Sequence, residues 1–267
     1  MDNRPIAVFD SGIGGLTVVK QIRRLMPNEK IIYFGDTARL PYGSKSPETI
    51  VRYALEVAAF LSGFDIKILV VACNSSSSYS IDALRAKFDF PVLGVIEPGS
   101  EAAHSATKSK RVGLIGTYAT VQGKAYDRTL SGIDRDIKLY KKACPLFVPI
   151  VEEGLYNHPI ARQAAEMYLT PLLTHNIDTL ILGCTHYPLL KSTIREVVGK
   201  KVRLVDSAQS TARLLHEVLE QKDLLSASKK QKDIDIFVSD VQNKFHKVTR
   251  IFLGKNGVNI NKADLNV

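Results

Sequence analysis

The chain has 267 residues, 45% of them hydrophobic and 24% charged, with three Cys, no Trp and a net charge of +9. This balance is that of an ordinary globular protein and excludes a disordered, collagen-like or disulfide-scaffold chain. The longest purely apolar run, 68–73, is six residues, far short of the ~20 that a membrane helix needs.

The predicted elements alternate. A buried strand over 5–9 precedes a helix over 15–26, whose Leu16, Val19, Ile22 and Leu25 fall at helical spacing. A strand over 30–34, a helix over 47–63 opened by Pro47, a strand over 66–72, a helix over 78–88 and a strand over 91–95 follow. A second series opens with a strand over 111–115. It continues through a helix from about 121, a strand over 138–140, a helix over 159–175 and a strand over 179–182. A helix over 188–198, a strand over 202–205 and a helix over 207–220 complete it. After the polar linker 226–232 come a strand over 234–238 and a helix near 241–253, stopped by Gly254. Strands alternating with helices predict an α/β fold with parallel sheets and ligands bound off the strands' carboxyl ends.

A short internal repeat accompanies this pattern. The segment 66–75, ending Ala72-Cys73-Asn74-Ser75, aligns without gaps on 177–186, ending Gly183-Cys184-Thr185-His186; Ile6 to Ser11 aligns similarly on Val112 to Thr117. Two related α/β units are expected, each with a Cys where an apolar strand meets a loop.

A following helix would aim its first N–H groups at such a thiol and favour the thiolate. Two equivalent thiols on opposite sides of one substrate suit a two-base reaction, one removing a proton and the other returning one. Each Cys alone also reads as a small buried hydrophobe. Cys144, before Pro145, is assigned to packing. No C-x-x-C pair occurs, so a structural zinc site is not expected, and the thiols are expected to be reduced. Nothing reads as a secretion signal, so a cytoplasmic location and no membrane partner are expected. The basic residues are scattered, and 228–267, the densest stretch, lacks interleaved aromatics. A solvated basic surface, not a nucleic-acid partner, follows.

The turn Asp10-Ser11-Gly12-Ile13-Gly14-Gly15 places Thr17 where a dinucleotide fingerprint has its third Gly, and no phosphate-binding G-x-x-x-x-G-K-[ST] run exists. Such a turn still offers N–H groups to a carboxylate. Asp10 reads as a helix N-cap or as a catalytic carboxylate. The loop through Pro41-Tyr42-Gly43-Ser44 would turn tightly and present N–H groups and hydroxyls, and His186 lies two residues past Cys184 as an acid/base candidate.

Taken together, Val8-Phe-Asp-Ser-Gly-Ile-Gly-Gly-Leu16, Tyr33-Phe-Gly-Asp-Thr-Ala-Arg-Leu-Pro-Tyr-Gly-Ser44, Val71-Ala-Cys-Asn74, Gly94-Val-Ile-Glu-Pro98, Leu146-Phe-Val-Pro-Ile-Val-Glu-Glu-Gly154 and Leu182-Gly-Cys-Thr-His-Tyr-Pro-Leu-Leu190 resemble the glutamate racemases of the aspartate/glutamate racemase superfamily. The resemblance runs from about 5 to 254.

It implies interconversion of L- and D-glutamate without pyridoxal phosphate or metal, the D-glutamate serving peptidoglycan synthesis, and a homodimer. It also implies two similar α/β domains, 1–97 plus 207–267 and 98–206, with the site in the cleft between them. Cys73 and Cys184 match the catalytic bases. Asp10 resembles the carboxylate assisting the first and His186 the imidazole assisting the second. Glu152 resembles an auxiliary acid, with adjacent Glu153 as the competing alignment. Ser11, Tyr42, Gly43, Asn74, Ser75, Thr185 and His186 match substrate-binding positions, with Asp10 among them and Thr117 and Thr120 as further candidates.

The family usually reads Cys-Asn-Thr-Ala-Ser, whereas this chain has Cys73-Asn-Ser-Ser-Ser-Ser78. Ser75 keeps the hydroxyl, and the added hydroxyls are expected to alter the first turn of the adjoining helix. The alternatives left by the same residues are an aspartate or broad-specificity racemase and a racemase-like binding protein without turnover.

Overall fold

A strand buried on both faces must be apolar at every position, and that requirement shapes the six-stranded sheet. The computed structural model describes residues 2–230, 232–241, 249, 253 and 258–265. In chain order, β1 (Ile6–Asp10), α1 (Leu16–Leu25), β2 (Ile31–Gly35), α2 (Pro47–Ser62), β3 (Ile68–Val71), α3 (Asn74–Ser77), α4 (Ile81–Lys87) and β4 (Val92–Gly94) form one series. The second comprises α5 (Ile96–Ala106), β5 (Arg111–Gly116), α6 (Tyr118–Gln122), α7 (Ala125–Ile133), β6 (Lys138–Ala143), α8 (Phe147–Glu152), α9 (Pro159–Leu173), β7 (Thr179–Gly183), α10 (Lys191–Val198) and β8 (Arg203–Asp206). Then α11 (Ser207–Gln221), β9 (Ile234–Val238) and β10 (Val258–Lys262) return to the first sheet.

All strand pairs are parallel, in the orders β10-β9-β2-β1-β3-β4 and β6-β5-β7-β8. The run β2-β1-β3-β4 therefore repeats as β6-β5-β7-β8, and the sequence repeat is a repeat of structure. In each sheet the strand order reverses between the first strand and its inner neighbour, β1 and β3 in one and β5 and β7 in the other. That reversal is where doubly wound sheets bind ligands.

Alternate residues of β1 feed opposite faces. Ile6 and Val8 pack with α1 and α11, whereas Ala7 and Phe9 pack with α2. Lys67, fully buried, anchors the base of this half. Its Nζ donates to Glu29 Oε2 at 2.6 Å and to the carbonyls of Asp2 and Leu224, while Glu29 Oε1 accepts from Ser226 N. The stretch after α11 is thereby tied back to β3.

Several expectations shift. The helix placed over 78–88 starts at Ile81, because Ser78 and Ser80 hydroxyls donate to the carbonyls of Asn74 and Ser76 and close a separate short turn first. The helix placed from 121 is two helices, α6 and α7, joined at Lys124 in left-handed backbone. Four elements had no sequence assignment: α3, α5, α8 and β10. Pro98 and Gly99 lie in the first turn of α5 and Pro149 in that of α8, where a missing N–H costs little but the residues read as breakers. β10 carries two Asn and pairs only with β9, at the sheet edge. The helix expected near 241–253 falls largely outside the described residues.

Candidate functional site

The two points of strand reversal face each other. Cys73 ends the loop after β3 and Cys184 follows β7; both are buried, and both line one cavity. Ser11, Tyr42, Gly43, Asn74, Ser75, Thr117, Glu152, Thr185 and His186 line it too, so nearly every candidate residue converges here. Asp10 and Thr120 stand directly behind the wall. The cavity encloses about 20 Å³, room for a single water. No ligand of several heavy atoms fits the cavity as it stands, so this is a closed form of the site. A larger groove of about 1030 Å³ on the outer face of α2 holds none of the candidate residues.

Contacts across the cleft hold it shut. Thr185 Oγ1 donates to Asp10 Oδ1 at 3.3 Å, and the Ser75 and Thr117 hydroxyls meet at 2.8 Å. Two glycines permit this approach. A Cβ at Gly14 would lie 2.4 Å from Thr185 Oγ1, and one at Gly43 would lie 2.5 Å from Thr117 Cβ.

Asp10 is fully buried. Its Oδ2 accepts from Gly12 N at 3.1 Å, inside the turn whose Gly12 carbonyl accepts from the Tyr33 hydroxyl. The N-cap of α1 is Gly15, so Asp10 does not cap that helix. Burial raises the Asp10 pKa, opposed by His186 and by its N–H and hydroxyl donors.

Cys73 lies 3.5 Å from Ser11 Oγ and forms the N-cap position of α3. The helix start does favour its thiolate through the Ser76 N–H, but burial outweighs it. Burial, with the Asp10 carboxyl nearby, pushes the thiol up to about 12, against the smaller opposing pull of the Ser76 N–H and Ser11. A four-residue helix supplies too little dipole to offset desolvation. Burial thus favours the protonated thiol at Cys73.

Cys184 has a different neighbour. Its Sγ lies 3.9 Å from His186 Nδ1, and His186 Nε2 lies 3.2 Å from Glu152 Oε1. Burial works against an imidazolium, but the contacts with Cys184 and Glu152 outweigh it and raise His186 to about 10. Glu152, not Glu153, is thus the carboxylate that reaches His186 and the cavity. The two thiols differ in kind: one beside a buried carboxyl, the other beside an imidazolium.

Most of the serines after Asn74 are consumed locally. Ser76 meets Ser80 at 2.9 Å, and Ser77 donates to the Val71 carbonyl. Only Ser75 of the run 75–78 lines the cavity. Tyr42 turns its hydroxyl away to the buried Asp36 carboxylate, which also accepts from Arg39 Nε and Ser239 Oγ. Tyr42 therefore offers the site its ring and backbone. Cys144 is buried off the cavity, as assigned. Sequence reading missed Leu40 and Val148 in the wall and Tyr126 behind Asn74; none carries a local signal of such a place.

Two buried thiols at repeated strand ends thus line one cavity, Cys73 near the Asp10 carboxyl and Cys184 near His186. Residues 15–215 match the family model of Asp/Glu/hydantoin racemases, and the chain belongs to that family. Within it, a glutamate racemase of Geobacter metallireducens is 50% identical over 251 residues, covering 94% of this chain and 93% of that protein. Among solved structures, the glutamate racemase isoform RacE1 of Bacillus anthracis superposes with a TM-score of 0.95 at 38% identity, covering 100% of both chains. A glutamate racemase of Francisella tularensis in complex with D-glutamate superposes with a TM-score of 0.93 at 37% identity, covering 100% of this chain and 99% of that one.

Proposed function

We propose that this protein interconverts L- and D-glutamate by proton transfer between Cys73 and Cys184. The observation that carries the reading is that both thiols, from equivalent places in the two sheets, line the same cavity. The relatives' names supply the substrate.

In the half-turnover that begins at Cys184, its thiolate takes the α-hydrogen as a proton, and the C–H electron pair passes into the α-carboxylate. Cys73 then gives its S–H proton to the opposite face of the carbanion, and that electron pair stays on sulfur. His186 exchanges the proton of Cys184, held by Glu152; Asp10 serves Cys73. An α-hydrogen beside a carboxylate is a very weak acid, so the developing charge needs fixed donors. Ser11, Asn74, Ser75, Thr117 and Thr185 bring hydroxyl and amide groups to the wall.

The assigned domains, 1–97 plus 207–267 and 98–206, part to admit glutamate and close to expel water. A cytoplasmic homodimer supplying D-glutamate for peptidoglycan completes the proposal. Its test is Cys73→Ala and Cys184→Ala, followed by polarimetry. Each is expected to lose racemisation by at least ~10³-fold; near-normal turnover in either variant would sink the two-thiol reading.

A further inference from the structure

We infer that Tyr126 is a positioning residue: its hydroxyl fixes the Asn74 carboxamide so that Nδ2 points at a carboxylate of the substrate. This rests on the proposed function and adds a residue to it.

A carboxamide presents a donor and an acceptor on nearly identical arms, and nothing in its shape selects which one faces a ligand. Asn74 is 3% exposed and lines the cavity directly after Cys73. Its Oδ1 accepts from the Tyr126 hydroxyl at 2.8 Å. Its Nδ2 is buried and has no partner among the described residues. An unsatisfied buried donor is costly to leave unmade, and in a cavity built for an amino acid the matching acceptor is a carboxylate oxygen. The opposite flip would aim Oδ1 at that carboxylate and set two acceptors against each other.

Tyr126 is suited to dictate the choice. It is fully buried on α7, and burial raises its pKa further, so the phenol keeps its proton and donates. Gly99 of α5 leaves the hydroxyl its space, since a Cβ there would lie 3.2 Å from it. Asn74 belongs to the six-stranded half and Tyr126 packs among the helices of the four-stranded half. The amide is therefore set when the halves meet, and the binding donor is completed by closure.

The test is Tyr126→Phe, which removes one oxygen and keeps the ring. KM for both enantiomers is expected to rise about three- to tenfold, the worth of one hydrogen bond, with kcat within about twofold. The enantiomers are equal in energy, so kcat/KM must fall equally from both sides. The second arm repeats the change in Asn74→Ala, where it is expected to do nothing more. Gly99→Ala, which displaces the same hydroxyl, provides an independent variant if Tyr126→Phe lowers the yield of folded protein. It should raise KM in the wild-type background and leave Asn74→Ala unmoved. An unchanged KM, a loss confined to kcat, or the same factor in both backgrounds overturns the positioning role while leaving the racemase reading intact. Failure of the wild-type protein to racemise glutamate overturns both.

Discussion

Replacing Gly14 with Ala places a methyl carbon 2.4 Å from Thr185 Oγ1 and 2.8 Å from His186 Nδ1. Ordinary contact begins at 3.4 Å, so Thr185 must retreat by about 1 Å. The clash lies across the cleft, and neither side can yield locally: Thr185 is bound to Asp10, and His186 is held between Cys184 and Glu152. The cheapest relief is for the halves to stay apart. Misplacement of catalytic groups by 1 Å costs on the order of 10²-fold in rate, equivalent to about 2.7 kcal/mol of barrier. Polarimetric kcat/KM should fall by that factor in both directions. The melting temperature should move by no more than a few degrees, because opening relieves the clash without disturbing either core. Gly12→Ala is the comparison. Among the described residues its methyl would meet only Leu40 Cδ2, at 3.6 Å, and the loss should stay within about tenfold. A Gly14→Ala protein with kcat/KM within about threefold of wild type would refute the closed-cleft account.

The remaining expectations concern charge. His186 is raised from 6.5 to about 10 through its contacts with Cys184 and Glu152. Glu152→Gln should move the alkaline limb of the pH–rate profile to lower pH by about one unit, and an unmoved limb would remove Glu152 from that role. The sign for stability follows from the raised value. The imidazolium's contribution is complete below about 6.5 and is lost as pH rises through about 10. Urea midpoints should therefore fall between pH 6 and 10, and fall less in Glu152→Gln. Removing the partner of Lys67 by Glu29→Ala leaves a buried ammonium with two carbonyls only. That should cost about 3–5 kcal/mol and lower the melting temperature by ~10 °C. A shift under ~2 °C would show the pair contributes little.

The sheets were legible because parallel strands buried on both faces read as continuous apolar runs, as in 68–72 and 180–182. The thiols were legible because Cys73 and Cys184 recur at matched places in two such runs. What stayed hidden was set by distant partners. α5 is helical through Pro98 and Gly99 because it packs between α7 and α11, and Gly99 serves the Tyr126 hydroxyl. The Cys73 thiol depends on burial, which no local spacing encodes. Whether Glu152 or Glu153 meets His186 depended on how α8 packs against residues 187–190, just past His186. Tyr42 sits in the wall as expected, yet its hydroxyl is claimed by Asp36, a partner six residues away in the same loop, which the sequence reading expected to present its hydroxyls.

The central claim is two thiols acting from opposite faces of one α-carbon. It is tested most directly by turning over L-glutamate in deuterium oxide and following the α-hydrogen of both enantiomers by proton NMR and mass spectrometry. The account expects newly formed D-glutamate to carry one solvent deuterium at the α-carbon, while unreacted L-glutamate keeps its protium in the initial rate. D-glutamate that retains the original hydrogen, or L-glutamate that exchanges as fast as product forms, would contradict it.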